Sequence, residues 1–266
     1  MAFFADIIQS ISILSKFHLV DHKTGSLVGI PRTRGFPGRC VSYEKGSVLD
    51  AKEDGELEFK SLVSAPSCSL PWKIMEEAKK FICACLNADR QGTIYFGVGD
   101  SQEKGSKYHP GEIIGLDVEQ MRGEINKAFQ FVLDDHIKSD AGPLQKGGEQ
   151  NCTNMYFVPV KSQGTRSHSF VIEIEVARDW QFCKDKVYYS KRWIEKRGVY
   201  KACGEKRALS DFFKVKDEFD NVTIRANGAS TSIKPYEVES QVKKPLEVKY
   251  KDWRKKTKQG NDILIE

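Results

Sequence analysis

Residues 55–62, GELEFKSL, and residues 92–100, GTIYFGVGD, decide the fold. In the first, Leu57 and Phe59 alternate with Glu56, Glu58 and Lys60. The period of two of an extended chain puts the apolar pair on one face and the charged trio on the other. The second, from Thr93 to Gly99, is a short and nearly continuous apolar run with β-branched and aromatic residues. That is the pattern of a central strand buried on both sides. Between them, Trp72 to Leu86 places Ile74, Met75, Ala78, Phe81, Ile82 and Cys85 on one side of a helix. Ser69 and Pro71 mark its start, and Asn87–Gly92, NADRQG, its end.

Working outward, Asp100 ends the second strand and a polar loop, SQEKGSKYHPGE, follows. Glu112 to Leu116 reads as another short strand. Val118 to Leu133 reads as a second amphipathic helix, with Met121, Ile125, Phe129 and Val132 as its stripe. Residues 134–151 are polar and Gly-rich, hence a loop. Met155 to Val160, Ser169 to Val176 and Val187 to Ser190 read as strands. Asn221 to Ala226 is the last of them, with Asn227–Gly228 as its turn. Helices mixed with mostly adjacent strands predict an α+β fold with a mixed sheet and flanking helices. Three segments emerge. Residues 1–50 form an N-terminal extension, partly helical (Phe3, Phe4, Ile7, Ile8, Ile11 and Leu14 recur at helical spacing) and then loop-rich. Residues 51–232 form the domain, and residues 233–266 a basic C-terminal tail.

The 266 residues are 39% hydrophobic and 30% charged, with net charge +5, and the pI is near 8.7. This suits a soluble chain with a sizeable core. The mild basic bias permits a polyanionic partner. No segment reads as membrane-spanning, and the N-terminus lacks the basic region of a signal peptide. The seven cysteines are odd in number, irregular in spacing and without a CxxC pair. Reduced thiols are expected, in the cytoplasm first and the nucleus second. A zinc site is not expected from such scattered residues.

The sharpest chemical constellation is acidic. Glu53, Glu56 and Glu58 lie on or just before one strand, and Asp100 ends another. If the strands are neighbours the carboxylates converge, which is costly unless a cation neutralises them. Hard oxygen donors suit Mg²⁺ or Mn²⁺, and such an ion polarises a phosphodiester and activates its attacker. Lys60, two residues beyond Glu58, shares its face and could offset charge on phosphoryl oxygens. The competing reading is a solvated strand face with Glu–Lys pairs. Lys184, Lys186, Lys191, Arg192, Lys196 and Arg197, interleaved with Tyr188, Tyr189, Trp193 and Tyr200, are candidates for a groove that follows a phosphate backbone. The tail, with Tyr250 and Trp253 among its lysines, reads either as a further nucleic-acid contact or as a solvated extension. No G-x-x-x-x-G-K-[ST], G-x-G-x-x-G, G-x-S-x-G or HExxH is present.

The blocks ELEFKSL, AKKFICACLNADRQGTIYFGVGD and GEIIGL, in this order, resemble the Schlafen-type AlbA_2 domain family. Further on, FVIEIEV, CKDKVYY and TIRANGAS are similar to its sterile-alpha-motif-containing branch. The resemblance covers roughly residues 53–230. It implies an α+β domain that binds nucleic acid. In Schlafen members it implies a divalent-metal-dependent endoribonuclease acting on structured RNA such as tRNA, with the acidic triad falling on Glu53, Glu58 and Asp100. In the other branch it implies an effector that binds double-stranded nucleic acid and is linked to tRNA cleavage and antiviral defence. The chain departs from the pattern in two ways. Only Cys183 sits where vertebrate Schlafens carry zinc-binding Cys/His sets, and one lobe is visible where Schlafens often use two, so a second would need a dimer. Three expectations follow: a nuclease using Glu53, Glu58, Asp100 and Lys60; a non-catalytic binder of structured RNA or, second, double-stranded DNA; or an interaction module of a larger assembly. A membrane partner is not expected.

Overall fold

A computed structural model describes residues 42–100, 107–139, 142–144, 152–177, 186–190, 222–226 and 229–258. Among these, a six-stranded mixed sheet forms the centre. Strand β1 is Tyr43–Glu44, β2 Leu57–Lys60, β3 Gly92–Phe96, β4 Leu116–Asp117, β5 Ile137–Ser139 and β6 Gly142–Pro143. Strand β7 is Thr153–Ser162, β8 Thr165–Val176, β9 Tyr188–Ser190, β10 Val222–Ala226 and β11 Ala229–Ile233. Helix α1 is Leu70–Ala88, α2 Arg122–Phe131 and α3 Lys244–Lys258.

The order across the sheet is β1-β7-β8-β3-β2, with β4 also paired to β8. Strands β2 and β3 are parallel, Glu58 beside Ile94 and Lys60 beside Phe96. Parallel neighbours need a crossover, and α1 supplies it. Strands β7 and β8 form a long hairpin whose two turn residues, Gln163 and Gly164, have φ of 52° and 75°. Positive φ at both positions matches the turn to the right-handed twist of the strands.

Period two splits the sheet into two apolar faces. Ile94, Phe96, Phe170, Ile172 and Ile174 pack with Ile74, Ala78, Phe81, Ile82 and Cys85 of α1 and with Ile125 and Phe129 of α2. Leu57, Phe59, Tyr95, Val98, Ile113 and Val171 form the core of the other face, closed by Tyr43. A smaller cluster joins Val187 and Val222 to Val238, Val242, Leu246 and Tyr250.

The α+β expectation holds, with three local differences. The strand predicted over Glu112–Leu116 is broken: Glu112 and Ile113 make isolated bridges to Val48 and Val98, and Leu116 alone starts β4. Gly111 and Gly115 take φ of 81° and 75°, which a strand does not accommodate. The loop predicted over 134–151 contains β5 and β6, which pair with each other, and β5 pairs with β9. Residues 235–258 of the basic tail are largely helical with a buried stripe, not a solvated extension. In the last two cases pairing or packing with distant residues overrides a polar local sequence. The Asn227–Gly228 turn lies outside the described residues, but the flanking strands β10 and β11 pair in register from Val222–Ile233 to Ala226–Ala229.

Candidate functional site

Two parallel strands bring the acidic residues together at their carboxyl ends. Glu58 and Lys60 lie on the α1 side of β2, in register with Ile94 and Phe96. Beyond β3 the backbone turns through Gly97 and Gly99 to Asp100. Gly97 has φ of 86°, and its amide donates to the Lys60 carbonyl at 2.8 Å. A Cβ on Gly99 would stand 2.0 Å from the His109 carbonyl oxygen. The G-V-G-D sequence is thus the path by which the chain passes under residues 109–115 and delivers Asp100 beside β2.

The Lys60 ammonium lies 3.3 Å from Glu58 Oε1 and 3.2 Å from Asp100 Oδ2. Burial alone would lower the Lys60 pKa. The carboxylates of Glu58 and Asp100 outweigh it and hold the ammonium above its usual 10.5. The other Glu58 oxygen is taken by Arg225 of β10, through Nη1, and by the Ser230 hydroxyl of β11 at 2.8 Å. The Arg225 guanidinium also donates to the carbonyls of Asp54 at 2.7 Å, Leu57 at 3.1 Å and Gly55 at 3.3 Å, and sits 5.0 Å from the Phe81 ring centre. It therefore satisfies the outer edge of β2 and neutralises Glu58 at once, using the fork of donors a lysine lacks. Glu53 is engaged differently: its Oε1 accepts the Phe59 amide at 3.0 Å.

Of the predicted acidic residues, Glu58 and Asp100 meet at one cation, Lys60, while Glu53 is spent on the backbone of β2. Glu56, the fourth candidate, is exposed. Glu58 is 3% exposed, so the solvated-face reading of β2 does not hold at that residue. Among the described residues no group of three or more His, Cys, Asp or Glu is placed to hold a metal ion. With Lys60 and Arg225 on the Glu58 carboxylate, the donors do not fit a divalent ion in this arrangement. Of the predicted basic groove, Lys186 is half-buried just before β9; Lys184, Lys191, Arg192, Lys196 and Arg197 lie outside the described residues, as does Cys183. Sequence reasoning missed Arg225 and Ser230. The available signal was an arginine inside a β-branched strand, since a buried arginine is almost always paired.

Asn87 lies in the last turn of α1. Its side-chain nitrogen donates to the carbonyls of Tyr188 and Thr223, both at 3.0 Å, and its oxygen accepts the Tyr188 amide at 2.8 Å. Strand β9 and strand β10, which carries Arg225, are thereby tied to one helix. No helix among the described residues is long and apolar enough to cross a membrane.

A family model described as Schlafen, AlbA_2 matches residues 53–208. Sterile alpha motif domain-containing protein 9-like from Homo sapiens is 30% identical over 148 residues, covering 54% of this chain and 9% of that protein. The protein of the same name from Mus musculus is 29% identical over 161 residues, covering 55% of this chain and 9% of its own length. The matched region is thus a small part of either relative.

Proposed function

The chain belongs to the Schlafen AlbA_2 family, and from that premise we propose that it is a nucleic-acid-binding module whose first partner is structured RNA, such as tRNA, with double-stranded DNA second. The observation that carries this form of the proposal is the saturation of Glu58 by Lys60, Arg225 and Ser230. A carboxylate whose charge is cancelled by two fixed cations acts as a strut between β2 and the β10–β11 hairpin. It offers little to a metal ion, and binding then rests on charge and shape.

A second reading is favoured by one feature. Glu58 and Asp100 converge on a single cationic centre, the Lys60 ammonium. Divalent-metal-dependent cleavage of structured RNA would require Mg²⁺ or Mn²⁺ to compete for that position. Under this reading the module is an endoribonuclease, in keeping with the role that the family resemblance assigns to Glu53, Glu58 and Asp100. Service within a larger defence protein of the sterile-alpha-motif type belongs to either reading.

Purified tRNA incubated with the protein and Mn²⁺ or Mg²⁺ separates them. Wild-type protein that shifts tRNA in a gel without cutting it supports the binding module. Metal-dependent cutting lost in both Glu58→Ala and Asp100→Ala overturns it in favour of the nuclease. A folded protein that neither shifts nor cuts removes both.

A further inference from the structure

The whole formal excess of positive charge can be traced to one helix. Helix α3 carries seven lysines and arginines against Glu247 and Asp252, a net of +5, and the entire chain has a net charge of +5. The remaining residues are balanced. One side of this helix is already used: Leu246 and Tyr250, with Val238 and Val242 before them, are buried against Val187 and Val222. The docking is fixed by Lys249, whose ammonium lies 2.8 Å from both Asp89 Oδ2 and the Asp89 carbonyl oxygen. That places a cation on the carboxyl end of α1, where the helix dipole favours it.

Positions 244, 248, 251, 255 and 258 form one row on the opposite side, following the three- and four-residue spacing of a helix. Four of the five are lysines and the other is Val248. Lys244, Val248 and Lys251 are exposed. Lys251 pairs with Glu247 at 3.9 Å, a contact between two exposed side chains that water and salt weaken readily. At 1.5 Å per residue the row is about 21 Å long.

We propose that this outer row of α3, through Lys244 and Lys251, is the surface that binds the phosphate backbone of a nucleic-acid duplex. A duplex carries one charge per about 1.7 Å of its axis, both strands counted, so the length of duplex beside a row about 21 Å long holds on the order of a dozen phosphates. Point charges on flexible stems suit such contacts, which carry no base recognition. A lipid surface fits less well, because an interfacial helix lays its apolar face into the bilayer, and here that face is packed on the protein. The helix lies outside the residues matched by the family model. It reaches the candidate site through β10, whose Val222 packs on α3 and whose Arg225 holds Glu58.

This inference rests on the nucleic-acid reading above and adds the surface. The test is fluorescence anisotropy of a labelled duplex RNA over a range of salt concentrations. It uses wild type, Lys244→Gln/Lys251→Gln, and the control Lys45→Gln/Lys127→Gln, which removes the same charge from exposed residues elsewhere. At low salt the α3 variant binds at least about tenfold more weakly than the control, and its slope of log K against log salt is shallower by about two. Equal binding and equal slopes for the two variants overturn the assignment to α3 while leaving the module's function intact. A wild type that does not bind RNA overturns the functional reading itself. Loss of binding to phosphatidylserine vesicles in the α3 variant, with RNA binding unchanged, overturns the proposal in favour of a lipid surface.

Discussion

The ammonium of Lys60 stands 3.2 Å from Asp100 Oδ2, and the same nitrogen stands 3.3 Å from Glu58 Oε1. These three side chains are 15%, 10% and 4% exposed, so solvent screens their interaction only in part. Lys60→Met removes the cation and leaves two facing carboxylates. The expected loss is about 2 kcal/mol, below the range for fully buried pairs because Lys60 and Asp100 are still partly wetted. Urea denaturation measures it, and adding Asp100→Asn should recover part of the loss. The sign with pH follows from the raised pKa of Lys60: its contribution is complete below 10.5 and disappears as pH rises above that value. A loss of Lys60→Met stability that stays within experimental error of zero would remove this ion pair from the description of the site.

Arg225 tests whether the hairpin is held by charge or by geometry. Its guanidinium reaches three backbone carbonyls, Glu58 and Ser230 together. Arg225→Lys keeps the charge but loses the fork, so the carbonyls of Asp54, Gly55 and Leu57 cannot all be served. A cost of about 3 kcal/mol is expected for Arg225→Lys, close to that of Arg225→Met, as for other multiply bonded arginines. Should Arg225→Lys melt like the wild type, charge alone secures the hairpin.

The strands and helices that carry their own periodicity were legible in the sequence: β2, β3, β7, β8, α1 and α2 all lie within a few residues of where the pattern puts them. The Lys60 side of the acidic site was legible too, because two-residue spacing on β2 forces Glu58 and Lys60 to one face. Three kinds of feature were hidden. Strand β5 is only three residues long, and pairing with β6 and β9 makes it a strand. The role of Arg225 is set by a partner far along the chain, Glu58 across 167 positions, and that of Glu53 by a backbone amide, Phe59, which no side-chain pattern announces. The stripe that runs into α3 was masked by lysines, since Val242 just before the helix and Leu246 and Tyr250 on it declare a buried face only once Val187 and Val222 are seen beneath them.

Lys79 gives the fold a pH signature. Its side chain is fully buried on α1, and burial lowers its pKa to about 8, with Glu76 at 2.9 Å opposing the shift. Cys83 beside it raises the pKa and Lys80 lowers it further, both to a smaller degree. A depressed lysine pKa means that the unfolded chain holds more protons between about 8 and 10.5, so stability rises with pH across that window. The Cys83 thiol works against this above its ordinary value of 9.0, because burial pushes it up to about 12 and the unfolded chain ionises first. The net gain is therefore concentrated between about pH 8 and 9. Lys79→Met removes that rise and is expected to be at least as stable as wild type at pH 7, since Glu76 keeps Lys80 at 3.6 Å. Denaturation midpoints of both proteins from pH 7 to pH 9 check it; parallel curves would show that Lys79 is not depressed.

Gly99 links the packing of residues 109–112 to the placement of Asp100. Its amide donates to the Glu112 carbonyl at 2.8 Å and its carbonyl accepts the Gly111 amide at 2.9 Å. The His109 carbonyl closes the space where a Cβ would go. Gly99→Ala must push the backbone of residues 109–112 away from β3, and a backbone atom cannot swing aside as a side chain does. Losing both hydrogen bonds with the added strain is expected to cost about 3 kcal/mol or more. Gly123→Ala is the control: nothing lies within 4 Å of its Cβ position on α2, and the substitution should stabilise by about 0.5–1 kcal/mol. Because Asp100 follows directly on Gly99, the displacement also moves its carboxylate off Lys60. The cost of Asp100→Asn should accordingly be smaller in the Gly99→Ala background than in wild type, a coupling that a double-mutant cycle measures. Additive costs would mean that Asp100 is placed by its own contacts and that the glycine path beneath residues 109–112 serves packing alone.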